Sequence, residues 1–385
     1  MLIEVYNSVG GAAFFRRLLR EWQTGGAQVA QHQAISESDY RSARGLFRRL
    51  VLRWRMYPGY AWICWRAASK RTELEPIRVV TTNPFFAPAL VEKMANGSGT
   101  TINLLYDLFP EALIQAGTIR PESWTAARCA AITRFALRRC GVTVFLGERL
   151  RQYVETTYGP AQRAVVIPVG ADGEPFRNAP PSLLAVSEPP QILYSGLMGS
   201  MHDVRTLVDA WALGMRDGVT WRFNASGSGY ALLCREARAA SSVTWGGSLN
   251  DTEWTIAMKN AHVALVTIAP GAERVVMPSK TYSALVAGQA VLAICRRESD
   301  LADLVLKHDC GWVVEPGDVI GLNRVLLEIA QDRDLLWAKR CKAFAAGHES
   351  YDMGPVSAMW LRLFSELAAK PGMAVAANDC VTSLC

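Results

Sequence analysis

Short apolar runs rich in β-branched residues alternate along most of the chain with segments whose apolar positions recur every three or four residues. In the first half the runs Leu2–Tyr6, Ala27–His32, Arg78–Thr82, Thr101–Tyr106, Val142–Leu146 and Ala164–Pro168 predict strands. Between them lie helix-period stretches such as Phe15, Leu18, Leu19 and Trp22. The second half repeats the scheme with Gln191–Ser195, Thr220–Ala225, Val243–Trp245, Val263–Thr267, Val291–Ile294 and Gly311–Glu315. Strands that alternate with helices imply right-handed crossovers and parallel sheets. Residues 173–190 contain Pro175, Pro180, Pro181, Pro189 and Pro190 without sustained periodicity, and read as a linker. Val356, Met359, Trp360, Leu363 and Leu367 mark a helix over 355–370, and 371–385 has no pattern and is expected to fray. The expected fold class is therefore α/β, with two doubly wound Rossmann-like domains, 1–172 and 191–354, facing a cleft. Such sheets bind ligands at the carboxyl ends of their strands, so the cleft is the expected site.

The length of 385 residues fits two domains of about 170 to 190 residues each. No uncharged apolar run reaches the roughly 18 residues of a membrane-spanning helix, and the acid at Glu4 with no basic run before an apolar core argues against a secretory signal. Nine cysteines without a C-x-x-C pair suit reduced thiols better than a disulfide framework or a zinc site. Charge changes the picture more. The net +6 divides into 20 Lys/Arg against 11 Asp/Glu over residues 1–150, and 21 against 24 over the remainder. Between Asp39 and Glu73 there is no acid, while residues 41–71 hold nine cations and six aromatic rings. In a helix from Ser42 to Tyr57, Leu46, Phe47, Leu50, Val51 and Trp54 would share one face, with Arg41, Arg44, Arg48 and Arg55 on another. Such a helix suits an anionic membrane surface, at roughly 1 kcal/mol per basic residue. The alternative is a helix packed on its sheet with a solvated basic face. Nucleic acid is not expected, since no recognition motif accompanies the charge.

Two glycines, Gly10 and Gly11, follow the first strand and precede a helix, where backbone N–H groups can meet a phosphate or sugar. The segment Val276-Met277-Pro278-Ser279-Lys280-Thr281-Tyr282 offers more. With Pro278 setting the entry and Ser279 capping a helix begun at Lys280, the two hydroxyls, the ammonium and the backbone N–H groups would converge on an anion such as a diphosphate. An ordinary N-cap with a solvated lysine is the alternative. Asp107 ends a predicted strand at the cleft mouth, as a sugar or acid/base group or as a cap before Pro110. Of the five histidines none pairs at metal-ligand spacing. No metal and no cofactor are therefore expected, and fixed charges and dipoles would carry a leaving group's charge.

Pro278-Ser279-Lys280, the small-residue helix reaching Gly288, and Val291-Leu292-Ala293 resemble the donor-site signature of GT-B glycosyltransferases, most closely family 4 members that act on bacterial surface polysaccharides. Other pieces resemble the same family in the same order: Tyr106-Asp107-Leu108-Phe109-Pro110-Glu111 with Gly117, Ile167 to Asp172, Tyr194 to Gly199, Ala225 to Gly229, Gly246-Gly247, and Glu315 to Asp318. The resemblance implies an enzyme that moves a sugar from a nucleotide diphosphate donor to a lipid-linked or polysaccharide acceptor, with retention and without a metal. The cysteine pattern and the basic aromatic stretch 41–71 point to a cytoplasmic protein held peripherally on the inner face of the plasma membrane. In it Ser279, Lys280, Thr281 and Arg205 would neutralise the diphosphate, and the turn Gly196–Gly199 would let backbone approach it. His202 falls at the family's Lys position and Leu197 at its Arg position. The family's two Glu positions fall on Val275 and Ser283, with Glu273 two residues from the first. Gly227, Gly229, Trp245 and Gly246 would flank the base, while Gly10, Gly11 and Asp107 would face acceptor and sugar. Asp107, Lys280 and Glu273 are thus the catalytic candidates. The missing Glu pair leaves two alternatives, a non-catalytic GT-B-like partner or scaffold subunit and a nucleotide-sugar 2-epimerase.

Overall fold

The computed structural model describes residues 1–10, 13–36, 39, 46–70, 74–185, 187–214, 218–237, 242–275 and 277–369. The amino-terminal half contains β1 (Leu2–Tyr6), β2 (Val9–Gly10), β3 (Gln28–His32), β4 (Ile35–Ser36), β5 (Ile77–Thr81), β6 (Thr100–Leu105), β7 (Val142–Phe145) and β8 (Ala164–Val166). Six of these form an all-parallel sheet in the order β3-β1-β5-β6-β7-β8. The second half contains β9 (Gln191–Leu197), β10 (Thr220–Ser226), β11 (Val243–Gly246), β12 (Val263–Thr267), β13 (Ala290–Ile294) and β14 (Gly311–Val314). They form a second parallel sheet, β11-β10-β9-β12-β13-β14. Every predicted strand is present, shifted by a few residues at its ends. The two-residue pair β2 and β4 was not foreseen, because two residues carry no periodicity.

The order of the second sheet reverses between β9 and β12. These neighbours pair only through Ile192 with Val263 and Leu193 with Ala264. Beyond Leu193 they diverge, which opens a gap at their carboxyl ends where doubly wound sheets bind ligands.

The helix Met353–Ala368 returns to the first domain. Trp360 and Phe364 pack against the fully buried Trp22 of helix Ala13–Thr24, with ring centres 5.3 and 4.9 Å away. Where the chain crosses back, Ala171 bridges to Asp352. The Asp352 carboxylate accepts from the amides of Gly173 (2.9 Å) and Met353 (2.7 Å) and from Arg177 (3.0 Å), so one side chain ties both crossings.

The domains also meet across the cleft. Gln115 Nε2 donates to the Pro270 carbonyl at 3.3 Å. The helix Glu148–Tyr158 begins at Gly147, which has no side chain to cap it. Asp300 of the second domain does so instead, accepting from the amides of Arg149 (2.9 Å) and Leu150 (3.0 Å). Arg149 in turn forks onto Asp303 at 2.6 and 3.1 Å.

The basic aromatic region departs from the helix expected over Ser42–Tyr57. Residues 42–45, with Arg41, Arg44 and Arg71, lie outside the described residues. The helix runs from Leu46 to Trp54 and passes into a π turn, Arg55–Gly59, before a second helix, Tyr60–Ala68. Pro58 lies in the turn, and it has no N–H with which to continue the α ladder onto the Trp54 carbonyl. Leu52, Met56, Tyr60 and Cys64 face the protein. Leu50, Val51 and Trp54, read from the sequence as an apolar face, point outward at 54, 42 and 65% exposure. Trp62 and Trp65 are also more than half exposed. Arg55 leans inward and donates to the Ala34 carbonyl at 2.9 Å.

Candidate functional site

The gap between β9 and β12 opens into a cavity of about 460 Å³. Its mouth is set by Gly196, Leu197 and His202 on one side and by Met277, Pro278, Ser279 and Lys280 on the other; Ser283 lines it further in. Its floor and walls are mostly apolar, with Leu193, Met201, Trp254, Met258 and Val266. The buried Thr267 and Gln289 also line it, and neither the Thr267 hydroxyl nor Gln289 Oε1 has a hydrogen-bond partner among the described residues.

Lys280 opens helix Lys280–Val286 and is partly buried. Its Nζ lies 2.5 Å from the Tyr194 hydroxyl, 3.3 Å from the Leu197 carbonyl and 3.3 Å from His202 Nε2. It also sits 4.0 Å from the centre of the Tyr194 ring. The Tyr194 hydroxyl donates to the Leu197 carbonyl at 2.6 Å. His202 Nδ1 accepts from the Gly199 amide at 3.1 Å. Burial pushes Lys280 down to about 7, with no carboxylate among the described residues near enough to oppose it. Burial and the neighbouring Lys280 hold His202 at about 4, so its ring is neutral.

Several residues singled out from the sequence lie elsewhere. Ser279 has helical dihedrals and makes no side-chain cap, so the N-cap reading fails, although the residue remains at the cavity mouth. Thr281 is fully buried and its hydroxyl has no partner among the described residues; it does not line the cavity. Arg205 is 79% exposed and pairs with Asp209 at 2.8 Å, one turn along its own helix, instead of joining Lys280. Trp245 stacks on Phe223 at 5.1 Å and packs beside Trp211, on the sheet face away from the cavity. Gly246 leaves room for Asn224, whose Nδ2 would lie 2.5 Å from an added Cβ.

Gly196 has φ of +116°, open to glycine and strained for other residues, and lines the cavity. Gly229 donates its amide to the Met198 carbonyl at 2.9 Å. Gly227 has φ of +111°, and a Cβ there would come 2.6 Å from the same oxygen. These two glycines hold the loop after β10 against the turn Met198–Gly199. Ser283 lines the cavity, while Val275, at the other Glu position, is buried.

Glu273 occupies a 3-10 turn and accepts from the Gly271 amide at 2.7 Å. It faces a second interdomain cavity, about 550 Å³, lined also by Arg149, Tyr153, Arg274, Arg296 and Glu298. It does not line the cavity at Lys280. On the first domain, Thr82 Oγ1 donates to the Asp107 carbonyl at 2.9 Å. The Asp107 carboxyl is pushed above its usual range by burial, and among the described residues it has no hydrogen-bond or ion-pair partner. Gly10 pairs with Ser36 in the small sheet, and Gly11 lies outside the described residues.

Sequence reasoning missed Tyr194 as the seat of Lys280, and Asp300 as the cap of a helix in the other domain. Among the described residues no group of three His, Cys, Asp or Glu side chains could hold a metal ion.

No family model matches the chain. It is 21% identical over 240 residues to the probable glycosyltransferase WbjE of Pseudomonas aeruginosa, a match covering 59% of each protein. The chain thus spans about three fifths of the length of the curated relative it matches. Among solved structures, sucrose-phosphate synthase from Thermosynechococcus elongatus superposes with a TM-score of 0.72 at 14% identity, over 96% of this chain and 99% of that one. Anabaena HepE in complex with UDP gives 0.68 at 15% identity, over 95% and 99%. With its two parallel sheets across a cleft, the chain has the GT-B fold.

Proposed function

We propose that this chain is a glycosyltransferase that moves a sugar from a nucleotide diphosphate donor to a lipid-linked or polysaccharide acceptor. The observation that carries the reading is the cavity at the switch point of the second sheet, with Lys280 and His202 at its mouth. The name of the Pseudomonas relative and the UDP held by HepE agree with it. The Pro278-Ser279-Lys280 signature supports a place near family 4, and with it a hexosyltransferase that retains configuration.

In this reading the diphosphate lies across the Gly196 turn. As the glycosidic bond loosens, the Lys280 ammonium and the His202 Nε2–H face the growing charge, in a partly buried site where fixed donors act strongly. The apolar cavity beside them, walled by Trp254 and Met258, takes part of the nucleoside. Asp107 faces the sugar and the acceptor from the other domain. A divalent cation is not required, because these groups already oppose the diphosphate.

The acceptor is brought by the membrane. Trp54, Trp62 and Trp65 stand exposed beside Arg48, Arg53 and Arg66, a surface suited to anionic headgroups at the inner face of the plasma membrane. Among the described residues no helix is long and apolar enough to cross a membrane.

The test is product analysis with a panel of nucleotide sugars and membrane extracts as acceptor, alongside thermal-shift measurements with the matching nucleoside diphosphates. Transfer from one donor, with its diphosphate raising the melting temperature, supports the reading. Stabilisation by none of them favours a partner or scaffold subunit, a reading that draws on Leu197, 64% exposed where the family places an arginine. Conversion of a free nucleotide sugar to its 2-epimer would identify an epimerase.

A further inference from the structure

The hydrogen bonds around Lys280 define where its protons lie. The Gly199 amide donates to His202 Nδ1, so that nitrogen carries a lone pair. The neutral imidazole therefore has its proton on Nε2, the atom that faces Lys280 Nζ at 3.3 Å. An ammonium there would oppose one N–H to another. A neutral amine fits all three hydrogen-bond contacts: two hydrogens go to the Tyr194 oxygen and the Leu197 carbonyl, and the lone pair accepts from His202. Tyr194 can take that bond because its own proton is given to Leu197.

No charge nearby contradicts this. Tyr194 and His202 are the titratable groups facing Nζ from β9 and from the loop that follows it. On the next helix Arg205 is paired with Asp209, and Asp203 accepts from Thr206. Glu273, in the turn after β12, is directed to the Gly271 amide and toward Arg296. Among the described residues no carboxylate lies within ion-pair distance of Lys280.

We propose that Lys280 is a neutral amine before the donor binds, and that binding of a nucleoside diphosphate draws one proton from solvent to charge it. Tyr194 and His202 are then positioning residues. They hold the amine at the cavity mouth, and the His202 Nε2–H turns from the amine to the phosphate once Lys280 is charged. The depressed pKa of about 7 given by burial agrees with this arrangement. The inference rests on the donor-site reading above and adds a pH dependence to it. Charging Lys280 becomes part of binding at any pH above about 7. Apparent affinity therefore falls roughly eightfold between pH 7.5 and 8.5, following the shrinking charged fraction of the free protein.

The experiment is calorimetric titration of the wild-type protein with UDP and with GDP at pH 8.0, in buffers of different ionisation enthalpy, repeated at pH 6.0. The expected uptake is about 0.9 proton per nucleotide at pH 8.0, where the terminal phosphate is already deprotonated; at pH 6.0 Lys280 takes up only about 0.1, and the half-protonated phosphate makes the net change a release. Lys280→Arg, which is charged at both values, should still bind at pH 8.0 with uptake near zero. Uptake that persists in Lys280→Arg belongs to the phosphate and overturns the proposal. So does wild-type binding at pH 8.0 whose enthalpy is independent of buffer. The wild-type series decides the matter alone if the variant does not fold. Absence of binding by either nucleotide at both pH values overturns the donor-site reading itself, and this inference with it.

Discussion

Gly147→Ala should separate the two domains while leaving each one folded. Gly147 lies in extended backbone, with φ of −158° and ψ of 161°, which alanine adopts without strain. Its added Cβ, however, would lie 2.1 Å from Asp300 Cγ and 2.2 and 2.4 Å from the two carboxylate oxygens. These are far inside the 3.0 Å below which a Cβ contact does not occur, so Asp300 must withdraw by about an ångström. Its two bonds to the Arg149 and Leu150 amides are then lost. Bonds to a charged group contribute about 1.5 kcal/mol each at the low end of their range, so the closed arrangement loses about 3 kcal/mol. That changes the ratio of closed to open forms by more than about a hundredfold. Small-angle scattering should report a larger radius of gyration, and kcat/KM should fall with the closed population. The circular dichroism spectrum should be unchanged. Asp300→Ala should give the same phenotype, and the double variant should be no worse than either, because both remove one interaction. Wild-type scattering and turnover in Gly147→Ala, or additive losses in the double variant, would refute the reasoning.

Two further outcomes follow from the site and the surface. Donor binding should be unchanged by EDTA, since among the described residues no carboxylate lines the cavity at Lys280; a strict divalent-cation requirement for nucleotide binding would contradict this. The protein should pellet with anionic vesicles and not with neutral ones, less so as salt rises and its exposed charges are screened over about 8 to 10 Å. Replacing Trp54, Trp62 and Trp65 by Ala, or Arg48 and Arg53 by Gln, should abolish pelleting; equal pelleting of variants and wild type would sink the membrane surface.

The strands were legible because most are buried on both faces and therefore spelled as short apolar runs. β5, β12 and β13, for example, are buried at every position. The role of Tyr194 was not legible. It pairs with a residue 86 positions away, and within its strand it reads only as another apolar position. Asp300 was equally silent, because the helix it caps lies 150 residues earlier in the other domain. The amphipathic helix misled in a different way. Periodicity does not say whether a helix face meets the protein or the solvent; here Leu50, Val51 and Trp54 point outward, and Leu52 and Met56 make the inward contacts. Ser279 misled because a Pro-Ser-Lys string matches both a capped helix start and a loop residue held at a cavity mouth. The dihedrals decide between these, and sequence does not contain them.

The most direct test of the account is the turnover of Lys280→Ala at saturating donor. Lys280 is placed where negative charge develops on the leaving diphosphate, and loss of one such group typically raises the barrier by about 3 kcal/mol or more. The rate should therefore fall by at least about a hundredfold, with the far-ultraviolet circular dichroism spectrum unchanged. Near wild-type turnover in this variant would mean that the cavity between β9 and β12 is not where the reaction is driven.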